Sequence, residues 1–307
     1  MSVAVKMKSN LKSGKMIILA AVVPCMIYYL IFYHGAMFYA FYLSFTNWQL
    51  GVDTKFIKLD NFVRILTADN LFFKSLYNTL YYTVFTVPVG TILAIFVAAL
   101  INGQGKKLAS AFRIIYFIPV VTSLVAVAVV WKWLYQPSFG LINQVLGIFG
   151  FPKVMWLSSP SVAMLSVMIM SIWRDLGFKA VIIMAALQGI PRTYFEAAMI
   201  DGAQKVQIFL KITIPLIFPA ITFIAVTGMI SAMQVFTEMH VMMSSNHMSI
   251  GASGPLDSTR TVVVHLYERA FSRYRMGYAS ATAILLFMII LAMSLIQLRI
   301  MENRTRI

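Results

Sequence analysis

Charge is scarce in this 307-residue chain: 11% of residues are Asp, Glu, Lys or Arg, against roughly a quarter in an ordinary soluble domain. With 60% hydrophobic residues, a water-soluble fold would have too little polar surface to cover its apolar bulk. The single cysteine, Cys25, excludes an intrachain disulfide and a cysteine-based metal site. His34, His240, His247 and His265 show no tight ligand spacing, so no metal is assigned. The 25 basic residues outnumber 10 acidic ones but form no stripe with interleaved aromatics, which sets nucleic acid aside as a partner. A Gly-x-x-x-x-Gly-Lys-Ser/Thr phosphate loop is missing; Gly103-Gln104-Gly105-Lys106-Lys107 is too short and reads as a basic turn. Polar residues are scattered among different loops, so no Ser/His/Asp or Cys/His group is arguable and the chain is not read as an enzyme.

What is abundant is apolar sequence. Stretches at 16–45, 77–101, 112–134, 161–187, 212–234 and 276–298 are each long enough to cross a bilayer, since about 20 residues at 1.5 Å rise span about 30 Å. In lipid each must be helical, because an unpaired amide finds no water. The expected fold is an all-α membrane protein of about six transmembrane helices: a tail at 1–15, a membrane domain at 16–298 and a tail at 299–307. Lys6, Lys8, Lys12 and Lys15 before the first span mimic a signal peptide, but no cleavage site follows, so that span is read as uncleaved. Alternate connecting segments hold 13 Lys and Arg in 60 positions against 9 in 96, which puts both termini on the cytoplasmic side of a bacterial plasma membrane. Trp48, Trp131, Trp133, Tyr135 and Trp156 read as an interfacial aromatic belt. The Ser, Asn, Gly and Pro between Ser244 and Thr261 read as a flexible outer loop.

The most informative segment is the loop at 188–211. Pro191 can open a helix, Glu196 falls in its early turns, and Gly202 suits a left-handed stop, after which 204–211 can form a second short helix. Tyr194, Phe195, Ala198 and Met199 share one face, an apolar surface without lipid to cover it. The small residues Ala197 and Ala198 would let another protein approach closely, so the loop is expected to plug a groove on a separate subunit.

Glu196-Ala197-Ala198, Gly202 and Ile212-Thr213-Ile214-Pro215 resemble, in residue and spacing, the hallmark of permease subunits of binding-protein-dependent ABC importers, specifically the maltose-type sugar branch. Similar stretches run along nearly the whole chain: Leu43-Ser44-Phe45-Thr46-Asn47-Trp48, Asn78-Thr79-Leu80, Phe117-Ile118-Pro119, Val130-Trp131, Gly140-Leu141-Ile142-Asn143 and Ala270-Phe271. His34-Gly35 and Ser244 to Ser253 depart from the branch's pattern. The resemblance implies a type I importer permease fold in which Glu196, Ala197, Ala198, Asp201, Gly202 and Ala203 couple to an ATPase. It also implies the partners: a second permease subunit, two ATPase subunits and an extracytoplasmic solute-binding protein. ATP and Mg would then belong to the ATPase, leaving this chain without a cofactor.

Arg174 and Asp175 sit midway along the fourth apolar stretch, and buried charges in a span are functional candidates by default. Asp175 and Lys179, four apart, are placed to pair. By resemblance Trp173 and Phe178 fall where sugar-stacking aromatics occur; Gln234, Phe236, Thr237 and Glu238 place polar and aromatic groups toward the same pathway. Lys55, Lys58, Arg64, Lys74, Arg260, Arg269, Arg273 and Arg275 in outer segments make an anionic sugar an option. The alternative reading is an ion- or proton-coupled secondary transporter with Asp175 as its acid, although no internal repeat is visible.

Overall fold

The computed structural model describes residues 16, 19–102, 106–244 and 253–305. The expected tail at 1–15, residues 103–105 of the expected basic turn, His247 and residues 245–252 of the expected outer loop lie outside the described residues.

The regular elements are helical: α1 Leu19–Ser44, α2 Asp60–Ala68, α3 Asn70–Asn102, α4 Lys106–Val121, α5 Leu124–Leu134, α6 Leu141–Ile148, α7 Ala163–Gln188, α8 Arg192–Ile200, α9 Lys205–Leu216, α10 Phe218–Met233, α11 Thr237–Met243, α12 Val262–Tyr267 and α13 Met276–Thr305. α1, α3 and α13 are long and apolar enough to cross a membrane. α7, at 26 residues, reaches about 39 Å at 1.5 Å per residue, its composition interrupted by the mid-helix charges. The other two expected spans are corrected in shape, because each is broken: α4 and α5 meet at 106°, α9 and α10 at 63°. At the first break Ser123 is extended (φ −53°, ψ 127°), three residues beyond Val120 and four beyond Pro119. At the second, Pro219 stands in the first turn of α10, where the missing N–H costs nothing, and a π-helical stretch, Phe209–Thr213, precedes Pro215. His34-Gly35 closes another π-helical stretch, Leu30–Gly35, inside α1. α13 continues through 299–305, which were expected as tail.

The described residues fall into two compact units, one within Met1–Thr67 and Arg269–Ile284, the other within Ala68–Glu268 and Leu285–Ile307. In the first, the Leu43 to Trp48 motif is a joint. Buried Asn61 donates to the carbonyls of Ser44 and Thr46, both at 2.8 Å, satisfying acceptors that the end of α1 leaves open. Gly277 lies so close that a methyl there would meet the Thr46 carbonyl oxygen at 2.2 Å, and its N–H donates to Trp48 O at 3.1 Å.

The second unit is built around α3 and α7. Asp69 caps α3, accepting from the N–H groups of Leu71 and Phe72 at 3.0 and 3.1 Å. Along α3, Ser75, Thr79, Thr83 and Thr86 each return their hydroxyl proton to the carbonyl four residues back. A polar stripe thus becomes a small, internally satisfied surface, which lets helices approach closely where the hydrophobic effect is absent. α7 packs along this surface; α4 lies against α7, α10 against α3, and α11 against α5. One apolar cluster gathers around Met168, Met239 and Tyr135, the other around Ile183, Ile217 and Ile224. One of the expected belt aromatics is interior: Tyr135 is buried, and half-buried Trp156 packs on it at 5.2 Å while donating to Asn143 at 3.0 Å. The described part of the outer loop is not loose. Ser253, Thr259, Arg260 and Thr261 are buried, and Asn78 donates to the carbonyls of Asp257 and Arg260, both at 2.9 Å.

Candidate functional site

A cavity of about 290 Å³ opens between the two apolar clusters of the second unit. α3 contributes Tyr82 and Thr86, α7 Arg174 to Lys179 in part, α10 Thr227 and Ser231, and α11 Glu238. The break between α4 and α5 reaches the same wall through Val120, Thr122 and Leu124. Irregular backbone at membrane depth is tolerated where it lines a cavity.

The charges on this wall are arranged around Arg174. Its Nη2 lies 2.6 Å from Asp175 Oδ1, its Nε donates to the same oxygen at 2.7 Å, and its Nη1 lies 3.1 Å from Glu238 Oε1. One guanidinium therefore ties α7 to the first turn of α11, where a carboxylate is also favoured by the helix dipole. The expected Asp175–Lys179 pair does not form: Arg174, with its longer reach, folds back onto Asp175. The Lys179 stem instead runs between two glycines. A methyl on Gly90 would be 2.8 Å from its Nζ, and one on Gly228 4.0 Å from its Cε.

Of the pathway residues expected from sequence, Asp175, Phe178 and Glu238 come together on the cavity wall. Trp173, Gln234, Phe236 and Thr237 are not among its lining residues. Trp173 turns to the other side of α7 and packs on Trp131 at 5.4 Å. Phe236 lies between His240 and Tyr267, at 5.0 and 4.8 Å; Thr237 opens α11 beside it, and exposed Gln234 donates back to Ile230 O at 3.2 Å. Sequence reasoning passed over Tyr82, Gly90 and Gly228, for which the only signals were a hydroxyl and two side-chain gaps in apolar helices.

The second candidate place is α8. Pro191 is its N-cap rather than its first residue, and Gly202 takes the left-handed conformation (φ +78°), with Ala203 N–H donating to Ala198 O at 2.9 Å. Gln204 and Gln207 form a reciprocal capping box that starts α9. Glu196, Ala197, Asp201 and Gly202 are exposed and Ala203 is half-buried. Ala198 corrects the expectation: it is 7% exposed and anchors the helix to its own chain, so the free surface is Tyr194, Met199 and Ile200.

Four of the outer cations are engaged: Lys74 donates to Leu256 O at 2.6 Å and Arg269 stands 5.3 Å from the centre of the Tyr278 ring. Arg64 pairs with Asp60 at 2.7 Å; Arg260 pairs with Asp257 at 2.9 Å and with Glu268, which also accepts from Ser253 at 3.0 Å. His265 is buried 3.3 Å from Asp69. Among the described residues no three His, Cys, Asp or Glu side chains could hold a metal together.

Residues 67–307 match the family described as binding-protein-dependent transport system inner membrane component. The chain is 34% identical to the probable ABC transporter permease protein YesP of Bacillus subtilis, over 95% of this chain and 93% of that protein. It is 30% identical to the sulfoquinovosyl glycerol transport system permease protein SmoG of Agrobacterium fabrum, over 86% of this chain and 83% of that one. Its fold superposes with a TM-score of 0.82 on a chain from the crystal structure of a bacterial alginate ABC transporter in complex with an alginate-bound periplasmic protein, at 23% identity and covering 95% of this chain and 96% of the other.

Proposed function

Because the chain belongs to the binding-protein-dependent transport system inner membrane components, we propose that it forms half of the translocation pathway of an ATP-driven importer for a sugar, an oligosaccharide or a sugar derivative. An external binding protein delivers the solute, a sister permease completes the pathway, and two separate ATPase subunits hydrolyse ATP. The lack of a phosphate loop supports placing hydrolysis on other polypeptides. The relative named for sulfoquinovosyl glycerol supports a carbohydrate solute. Both termini and α8 face the cytoplasm, a reading supported by the density of Lys and Arg in their segments.

The observation that carries this reading is α8: a nine-residue helix with Tyr194, Met199 and Ile200 exposed, joined directly to α7 and through α9 to α10, the two helices that wall the cavity. An apolar tip of this kind fits a groove on a partner. A proton-driven carrier has no support from the relatives, and Asp175, the acid it would need, is held by Arg174.

The test is made on the assembled importer. Glu196→Lys and Gly202→Val should each abolish uptake and solute-stimulated ATP hydrolysis while the amount inserted in the membrane stays at the wild-type level. Wild-type uptake by both variants would end the coupling claim.

A further inference from the structure

Four charged groups stand on the cavity wall, and three of them are bonded to one another. Arg174 holds Asp175 and Glu238, so its donors are already engaged with carboxylates. Lys179 is the remainder. It is 8% exposed, yet among the described residues it makes no ion pair within 4 Å and no hydrogen bond, and it lines the cavity. A carboxylate was available one turn back at Asp175, in the spacing that normally pairs on a helix. The geometry gives that carboxylate's short contacts to Arg174 and leaves the ammonium in the field of Asp175 but with no carboxylate oxygen within 4 Å.

The space around it is also specific. Where Nζ meets α3 the residue is Gly90, whose added methyl would stand 2.8 Å away; where the stem meets α10 the residue is Gly228. Two absent side chains make the slot that the lysine fills. An unpaired ammonium kept out of water is costly, and a charge at membrane depth is retained where something uses it. None of the outer cations lines the cavity, and Arg64 and Arg260 are already held by carboxylates. The cavity lies at the small end of ligand pockets, which run from roughly 300 to 1,000 Å³. Its other walls offer hydroxyls, from Tyr82, Thr86, Thr227 and Ser231, and the Phe178 ring.

We propose that Lys179 sets the specificity of the cavity by binding an acidic group, a carboxylate, sulfonate or phosphate, on a small polyhydroxylated solute. This rests on the permease reading and narrows it. The Arg174 group holds the walls together, and Lys179 supplies the one charge free to meet an anion during passage.

The experiment uses the whole importer in proteoliposomes and matched solutes: mono- and digalacturonate against their methyl esters, and hexose 6-sulfonates against the parent hexoses. Wild type should import the acidic member of a pair in preference to the neutral one. Lys179→Met, an apolar side chain of similar length, should lower the ratio of acidic to neutral uptake at least about tenfold, and Lys179→Arg should restore most of it. Gly90→Ala keeps the charge but crowds the ammonium, and should lower the ratio several-fold. Should Lys179→Met fail to reach the membrane, the uptake ratio of Gly90→Ala decides the question in its place. A wild type that prefers the neutral member, or variants that keep the wild-type ratio, would overturn the proposal while leaving the permease reading intact. No ATP-dependent uptake of any solute by wild type would strike the permease reading, and the proposal with it.

Discussion

Gly177 of α7 lies tightly against the backbone of α4, and replacing it tests the packing that positions the cavity. A methyl at Gly177 would sit 1.8 Å from the Tyr116 carbonyl oxygen, 2.6 Å from its carbon and 3.3 Å from Phe117 Cα. All three are backbone atoms, so no rotamer relieves the overlap. Carbon–oxygen contacts settle near about 3.3 Å, so the helices must part by roughly 1.5 Å. Overpacking typically costs about 1–3 kcal/mol, and a clash with rigid backbone belongs at the top of that range, about 3 kcal/mol. At roughly 2 °C per kcal/mol for a chain of this size, Gly177→Ala should lower Tm by about 6 °C in thermal unfolding of the detergent-purified protein followed by circular dichroism. Gly147 is the matched control. It lies on exposed α6 with nothing within 4 Å of an added methyl, so Gly147→Ala should be neutral or gain up to about 1 kcal/mol. Because α7 carries Arg174, Asp175 and Lys179, Gly177→Ala should also depress uptake. A Gly177→Ala protein that unfolds with the Gly147→Ala control would refute the close α4–α7 crossing.

Arg174→Met should cost about 3 kcal/mol, because it strands the largely buried Glu238 carboxylate, whereas Arg174→Met with Glu238→Met should recover most of that loss. Equal stabilities for the single and double variants would remove the pair from the account. Asn143→Ala deletes a donor to Val154 O at 3.0 Å and an acceptor for Val154 N at 3.2 Å and Trp156 Nε1 at 3.0 Å; it should cost about 2–3 kcal/mol and shift tryptophan emission to the red, and unshifted emission would count against it.

Much of the fold was legible because membrane insertion allows few choices. Apolar length located α1, α3, α13 and the two bent pairs, and the helical period marked out α8, whose stop at Gly202 was readable from one residue's freedom to take positive φ. The breaks at Ser123 and Ile217 were not legible, because a proline inside an apolar run signals a kink without saying how far the chain turns. The site was half legible for a similar reason. Spacing puts Asp175 and Lys179 on one face, but whether they pair depends on a third side chain and on Glu238, 63 residues away. Arg260 shows the opposite error: its position in an outer segment suggested a free charge, and only the fold brings Glu268 to it.

The connectivity around α8 says how a push there would reach the cavity. Between α7 and α8 there are only Gly189, Ile190 and Pro191, and the first two are tied back, Gly189 N–H to Ala185 O at 3.2 Å and Ile190 N–H to Leu187 O at 3.3 Å. The link is therefore short and stiff, and Lys179 stands nine residues before Gln188, about 14 Å along a continuous helix. On the other side α8 passes through the Gly202 turn into α9, whose π-helical stretch and 63° break at buried Ile217 precede α10. A displacement of α8 should therefore pass more directly into the wall that holds Arg174 and Lys179 than through the bent α9–α10 side. Unequal movement of the two faces is the condition for opening a site between them rather than shifting it as a whole, and uptake that survives stiffening of the α9–α10 break while failing on loosening of the α7–α8 link would bear this out.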